Sequence, residues 1–153
     1  MLSGLAVWLF QDLFSVLASG PLMVPEAFLL LMLYRALYRA ESFPATVWST
    51  FAGGVVFDLR WVGFPGVTSF LTVAVLLVCR WLWLTLPVSG RTIGLTAFFF
   101  WSGQTLVSLA RLILWGLPRM DILRILLMQQ GYFLPVIGIV CVFIAHLERK
   151  QDV

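Results

Sequence analysis

The sequence predicts an all-α membrane protein, a bundle of about six transmembrane helices without a soluble domain. Of its 153 residues, 61% are hydrophobic and only 11% are charged, whereas about a quarter of the residues in a soluble domain are charged. A spanning helix uses roughly 20 apolar residues, so six spans occupy most of this length and leave only short connections. An appended catalytic domain is therefore not expected.

Proline, glycine and charged residues divide the single predicted domain into apolar stretches. The predicted spans cover about residues 2–19, 22–40, 43–60, 65–86, 92–116 and 121–146. The first stretch carries Gln11 and Asp12 and lacks the basic segment of a signal peptide, so we expect it to be retained as a span. The stretches that end near Ser19 and Arg60 are short or polar enough to leave five spans as an alternative.

The distribution of basic residues predicts the orientation. With six spans and a cytoplasmic N-terminus, six basic residues fall on the cytoplasmic side and four on the outer side. The two groups are Arg35, Arg39, Arg80, Arg91, Arg149 and Lys150 inside, and Arg60, Arg111, Arg119 and Arg124 outside. Both termini are therefore expected in the cytoplasm. Because the charges are scattered, the sequence lacks the clustered footprint of a nucleic-acid-binding protein.

The third stretch carries a small and polar helix face. Thr46, Thr50, Gly54 and Asp58 follow one another at intervals of four, so they lie on one side of a helix. In lipid, small residues let helices approach closely and hydroxyl groups bond between helices, which predicts a packing seam. The alternative is that Asp58 is a functional group at the mouth of the bundle.

The fifth stretch carries a second polar face. Gln104, Ser108 and Arg111 are spaced by four and three residues, and we expect them to point inward. Asp12, in the first span, is predicted to be the most deeply placed acid, and Arg111 is a candidate partner that would offset part of its desolvation cost.

The residues needed for catalysis are sparse. Cys79 and Cys141 lie far apart without a CxxC motif or partner histidines, which predicts buried thiols rather than a disulfide or zinc site. His146 is the only histidine, and Ser102 has no well-placed base. We therefore expect no enzymatic activity, no cofactor and no metal.

Three motifs in the run from Pro25 to Gly66 resemble those of the rod shape-determining protein MreD family. A proline and an acid open a leucine-rich span that ends in a basic segment, a glycine precedes an aspartate by four residues, and a proline and glycine lead into the next span. The matching residues are Pro25, Glu26, Gly54, Asp58, Pro65 and Gly66. Gln11 in a leucine-rich first span is also typical of this family.

The resemblance implies a scaffold of the cell-elongation machinery in the bacterial inner membrane, which supports lateral peptidoglycan synthesis and rod shape. The implied partners are MreC and, indirectly, RodA, penicillin-binding protein 2 and MreB, besides membrane lipid. No catalytic residue carries over, and the six matching residues are expected to determine the bundle or its partner surface.

The fold implied by the resemblance is similar to that of the substrate-binding S subunits of energy-coupling factor transporters. A vitamin-binding subunit of such a transporter is therefore an alternative function. It would need an outward cavity lined by polar groups, which Gln104, Ser108, Gln129 and Gln130 could supply.

Overall fold

The computed structural model describes residues 2–17, 26–62, 66–114, 116 and 119–151. Within these ranges the regular structure is entirely helical, so the all-α prediction is confirmed. The α-helices are α1 (Leu2–Leu17), α2 (Ala27–Tyr38), α3 (Phe43–Phe57), α4 (Val67–Thr85), α5 (Ile93–Leu114) and α6 (Arg119–Gln151). Two of the predicted determinants, Pro25 and Pro65, lie outside the described residues.

The helices differ in length in a way that bears on membrane crossing. In the part of the chain that the structure describes, three segments are long and apolar enough to span a bilayer, namely α4, α5 and the Met120–Ile144 part of α6. The first three helices are shorter, at 16, 12 and 15 residues. At 1.5 Å per residue, α2 rises about 18 Å, whereas a hydrocarbon core is about 30 Å thick. The described residues thus contain three full-length candidate spans, which favour a helical membrane protein, and six crossings remain a prediction.

Helix α2 lies at the centre of the bundle. It packs against α1, α3, α4 and α5, while α6 packs against α5. Half of its residues are buried, and Leu29, Leu33 and Leu37 belong to one core cluster with aromatic side chains of the later helices. Those aromatic residues are Trp83, Phe99, Phe100 and Phe133. A leucine-rich helix whose first two turns are entirely apolar is expected in such a central position.

Many large apolar side chains remain exposed on the outer faces of the helices. Phe70, Ile139 and Val142 each expose more than two thirds of their surface, at 72%, 71% and 71%. In water such a surface would favour aggregation, whereas in a bilayer it meets hydrocarbon. The exposed surface therefore agrees with the composition in favouring lipid as the solvent.

The chain changes helix type between α3 and α4. Regular α-helix ends at Phe57, and residues Asp58–Val62 form a π-helical turn. Gly66 then precedes α4 with φ of +114°, a left-handed conformation that glycine adopts without the Cβ penalty of other residues. This connection brings the beginning of α4 back against the end of α3.

Candidate functional site

Several of the predicted polar residues meet at one end of the bundle, where α1, α3 and α5 end and α2 and α4 begin. They surround a cavity of about 20 Å³ that we call the polar centre. Its polar lining and glycine residues are Gln11, Glu26, Thr50, Gly53, Gly54, Thr68, Thr72 and Arg111. Residues that are remote in sequence thus converge on one site, and the available space matches about one water molecule.

A buried ion pair forms part of the polar centre. Arg111 of α5 contacts the carboxylate of Glu26, with side-chain exposures of only 7% and 9%. The Arg111 guanidinium also lies 4.6 Å from the centre of the Phe57 ring, in a cation–π arrangement. Because isolated charges are costly in a low dielectric, each of these two ions requires the other.

The predicted pairing of Arg111 with Asp12 was wrong. Asp12 instead pairs with Arg60, with an Oδ1–Nε distance of 2.9 Å, and accepts a longer hydrogen bond of 3.4 Å from Trp61 Nε1. The physical reason is the π-helical turn after α3, which carries Arg60 and Trp61 to the end of α1. Arg111 lies deeper in the bundle, where Glu26 is the acid within reach.

Gln11 has a role that the sequence did not reveal. Its Oε1 accepts a 2.9 Å hydrogen bond from the backbone N–H of Phe28, in the first turn of α2. The first N–H groups of a helix have no intrahelical acceptor, so an outside acceptor stabilises this end. Glu26 occupies the N-cap position of α2, but its side chain makes no cap hydrogen bond and contacts Arg111 instead. The one sequence feature that could have indicated this role is the presence of a glutamine within an apolar span.

Asp58 is fully buried and caps the beginning of α4. Its carboxylate accepts hydrogen bonds from the backbone N–H of Gly66 at 2.9 Å and of Thr68 at 2.9 and 3.2 Å. A carboxylate at a helix N-terminus satisfies orphan N–H groups and interacts favourably with the helix dipole. These contacts favour the packing interpretation of Asp58 over that of a group exposed at the mouth of the bundle.

Gly54 lets the two helices approach closely. A Cβ atom at this position would lie 2.5 Å from Ser69 Cα and 2.8 Å from Ser69 N, both backbone atoms of α4. Thr50, one turn earlier, is buried, and its hydroxyl donates to the carbonyl of Thr46 at 2.8 Å. The face predicted from the four-residue spacing is therefore a packing seam.

The polar face of α5 also points inward, as predicted. Gln104, Ser108 and Arg111 are all buried. Gln104 Nε2 donates to Ser108 Oγ at 3.2 Å, and Gln130 of α6 donates to Thr105 at 3.0 Å. The amide nitrogens of both glutamines are thus used within the protein.

Comparison of the chain with protein-family models, curated proteins and solved structures gives no significant match. Within the described residues, no group of three or more histidine, cysteine or acidic side chains is placed to hold a metal ion.

Proposed function

We propose that this chain is a non-enzymatic scaffold of the MreD kind in the bacterial inner membrane, which docks the transmembrane helix of MreC. All six helices lie within the membrane in this proposal, with cytoplasmic termini. Through MreC the scaffold supports the RodA and penicillin-binding protein 2 pair and the MreB filament.

The supporting observation is the convergence of the residues that carry the family resemblance. Glu26 and Gly54 line the polar centre, and Asp58 binds the backbone of Gly66 and Thr68 beside it. The sequence distributes these residues over three motifs, yet they form one structural unit that joins α2, α3, α4 and α5. A shared structural role explains why the motifs occur together without a reaction centre.

The outer face of α6 is suited to a partner helix. Only 22% of the residues in the most apolar stretch of α6 are buried, against 33% for the corresponding stretch of α4 and 44% for that of α5. Gly131 and Gly138 lie on this helix, both exposed, and a Cβ at either position would meet no atom within 4 Å. Small residues on a lipid-facing helix allow the backbone of another helix to approach closely, so we place the MreC helix here.

The test is co-expression with a candidate MreC, followed by affinity purification in detergent. The wild-type chain is expected to recover MreC, and Gly138→Leu to lower recovery at least about fivefold, since a larger side chain in a close contact costs about 1–3 kcal/mol. Gly94→Leu is the matched control, because Gly94 is also exposed in a helix and a Cβ there would meet only Thr92 Oγ1, at 3.9 Å.

The vitamin-transporter alternative is tested in parallel by thermal-shift screening of the purified chain against vitamins. A specific, tight vitamin ligand without recovery of MreC would overturn the scaffold proposal. Equal recovery with wild-type, Gly138→Leu and Gly94→Leu chains would show that the partner helix docks on another face.

A further inference from the structure

An open apolar groove lies between α1 and α3, on the side of the bundle away from α5 and α6. Both helices pack against α2, and the space between them has a volume of about 580 Å³. Its lining residues are Gly4, Trp8, Leu9, Phe28, Trp48, Ser49, Ala52, Gly53 and Val56. Almost all of this lining is apolar, so hydrocarbon is a better occupant than water.

A basic recess adjoins one end of the groove. It has a volume of about 230 Å³ and is lined by Arg35, Arg39, Ser42, Ala45, Thr46 and Ser49. Ser49 lines both spaces. Arg35 Nη1 also lies only 3.8 Å from the position of a Cβ on Gly4, a residue of the groove wall. The groove and the basic recess therefore adjoin each other, and we consider them together as one feature, apolar in the groove and cationic in the recess.

The charge of the recess comes from two guanidinium groups. Arg39 is exposed at the C-cap of α2, and Arg35 also engages a group of the protein. A guanidinium has five N–H donors and can bind more than one acceptor at the same time. The Ser42 hydroxyl donates to the carbonyl of Arg39, and the Thr46 hydroxyl donates to the carbonyl of Ser42, so both hydroxyl protons are used within the protein. Recognition of an anion thus depends on the two arginines, and the nearby exposed Glu41 is not part of the lining.

We propose that this feature binds an anionic phospholipid, with its phosphate at Arg35 and Arg39 and an acyl chain in the groove. The volume lies within the roughly 300–1,000 Å³ typical of small-molecule sites. Basic recesses between membrane helices bind phospholipid head groups, and the predicted topology places both arginines at the cytoplasmic leaflet, where anionic lipids are common. A partner helix would fill an apolar groove but would bring no phosphate to the arginines. This inference is independent of the proposed partner docking on α6.

The first experiment compares lipids by native mass spectrometry of the full chain in detergent. The ligands are phosphatidylglycerol, phosphatidylcholine with the same acyl chains, and glycerol phosphate. Phosphatidylglycerol is expected to be retained preferentially, with phosphatidylcholine weaker and glycerol phosphate unbound. Equal retention of the two phospholipids would overturn the head-group assignment, and binding of glycerol phosphate alone would overturn the role of the acyl chain.

The second experiment uses variants at each end of the feature. Arg39→Gln is expected to weaken retention of phosphatidylglycerol about fivefold, because one basic residue contributes on that order at an anionic lipid surface. It should weaken phosphatidylcholine less, because the choline cation offsets the charge of its phosphate. Arg124→Gln is its control, since Arg124 is exposed on α6. Ala52→Phe fills the groove and should weaken both lipids, whereas Val142→Phe on the outer face of α6 should affect neither.

Two outcomes would contradict the proposal. If Arg39→Gln and Arg124→Gln lower the retention of phosphatidylglycerol equally, Arg39 contributes only to the net charge of the protein and not to a specific head-group site. If Ala52→Phe leaves lipid retention intact but abolishes recovery of MreC, the groove is a protein-docking site. The scaffold proposal would then stand, with the MreC interface in the groove instead of on α6. Because Arg39 and Ala52 are both exposed, these variants leave the core of the bundle unchanged.

Discussion

The polar centre and the apolar groove lie on adjacent faces of the same helix, α3, and Gly53 lines both. The two spaces differ in what surrounds them. At Gly54 the neighbour is the backbone of Ser69, which cannot move without shifting α4, whereas the adjacent Gly53 faces the ring of Phe28 beside an open groove. One face of α3 is thus fixed by other helices and the other is free to accept an external molecule. Variants of the polar centre should therefore affect folding, and variants of the groove should affect binding.

The largest expected effect is at the buried ion pair. Arg111→Met leaves Glu26 buried without a counterion, which should lower the free energy of unfolding by about 3–5 kcal/mol. The double variant Glu26→Gln/Arg111→Met removes both charges and is expected to recover much of this loss. The measurement is unfolding by titration with sodium dodecyl sulfate, followed by fluorescence of the seven tryptophans. Equal losses in the single and double variants would contradict the pairing.

Much of the polar centre could be predicted from the sequence, but which side chains pair with one another could not. The four-residue spacing of Thr50, Gly54 and Asp58 predicted one packed face of α3, because helical periodicity is a local property. Which acid meets Arg111 depends on how α1, α2 and α5 pack together. Asp12 and Glu26 both lie in apolar surroundings, so either could have been the partner of Arg111. The π-helical turn that carries Arg60 to Asp12 has no clear signal in the sequence.

The groove was not predicted, and the reason is also physical. Its lining follows four-residue spacing within each helix, as at Gly4 and Trp8 of α1 and at Trp48 and Ala52 of α3. Spacing within one helix does not show that these two faces border a common open space. Periodicity identifies faces that are buried against a neighbour, whereas a groove arises where two helices diverge on a third. The basic residues Arg35 and Arg39 were noted for topology, but their position at the end of an apolar groove required the tertiary structure.

The next largest effect compares the adjacent glycines of α3. Gly54→Ala places a Cβ against the α4 backbone, which cannot yield as a side chain can, so we expect the upper part of the about 1–3 kcal/mol that overpacking costs. Improved helix propensity returns only about 0.5–1 kcal/mol of it. Gly53→Ala requires rotation of the Phe28 ring, at about 0.5–1.5 kcal/mol, which is offset by about 0.5–1 kcal/mol of improved helix propensity. The same titration should therefore show a clear loss for Gly54→Ala and almost none for Gly53→Ala. Equal losses would mean that both faces of α3 are equally constrained.

The smallest effect concerns the two aspartates at the ends of α1 and α3. Asp58→Ala removes the acceptor of two backbone N–H groups at the beginning of α4, so it should cost about 0.5–2 kcal/mol. Asp12→Ala is the comparison, because its partner Arg60 is 48% exposed and such pairs contribute about 0–1 kcal/mol. Asp58→Asn keeps one acceptor oxygen and should lie between wild type and Asp58→Ala. If instead all three variants unfold like wild type while both Asp58 variants lose MreC and Asp12→Ala does not, Asp58 acts on the partner and the capping role assigned to it is wrong.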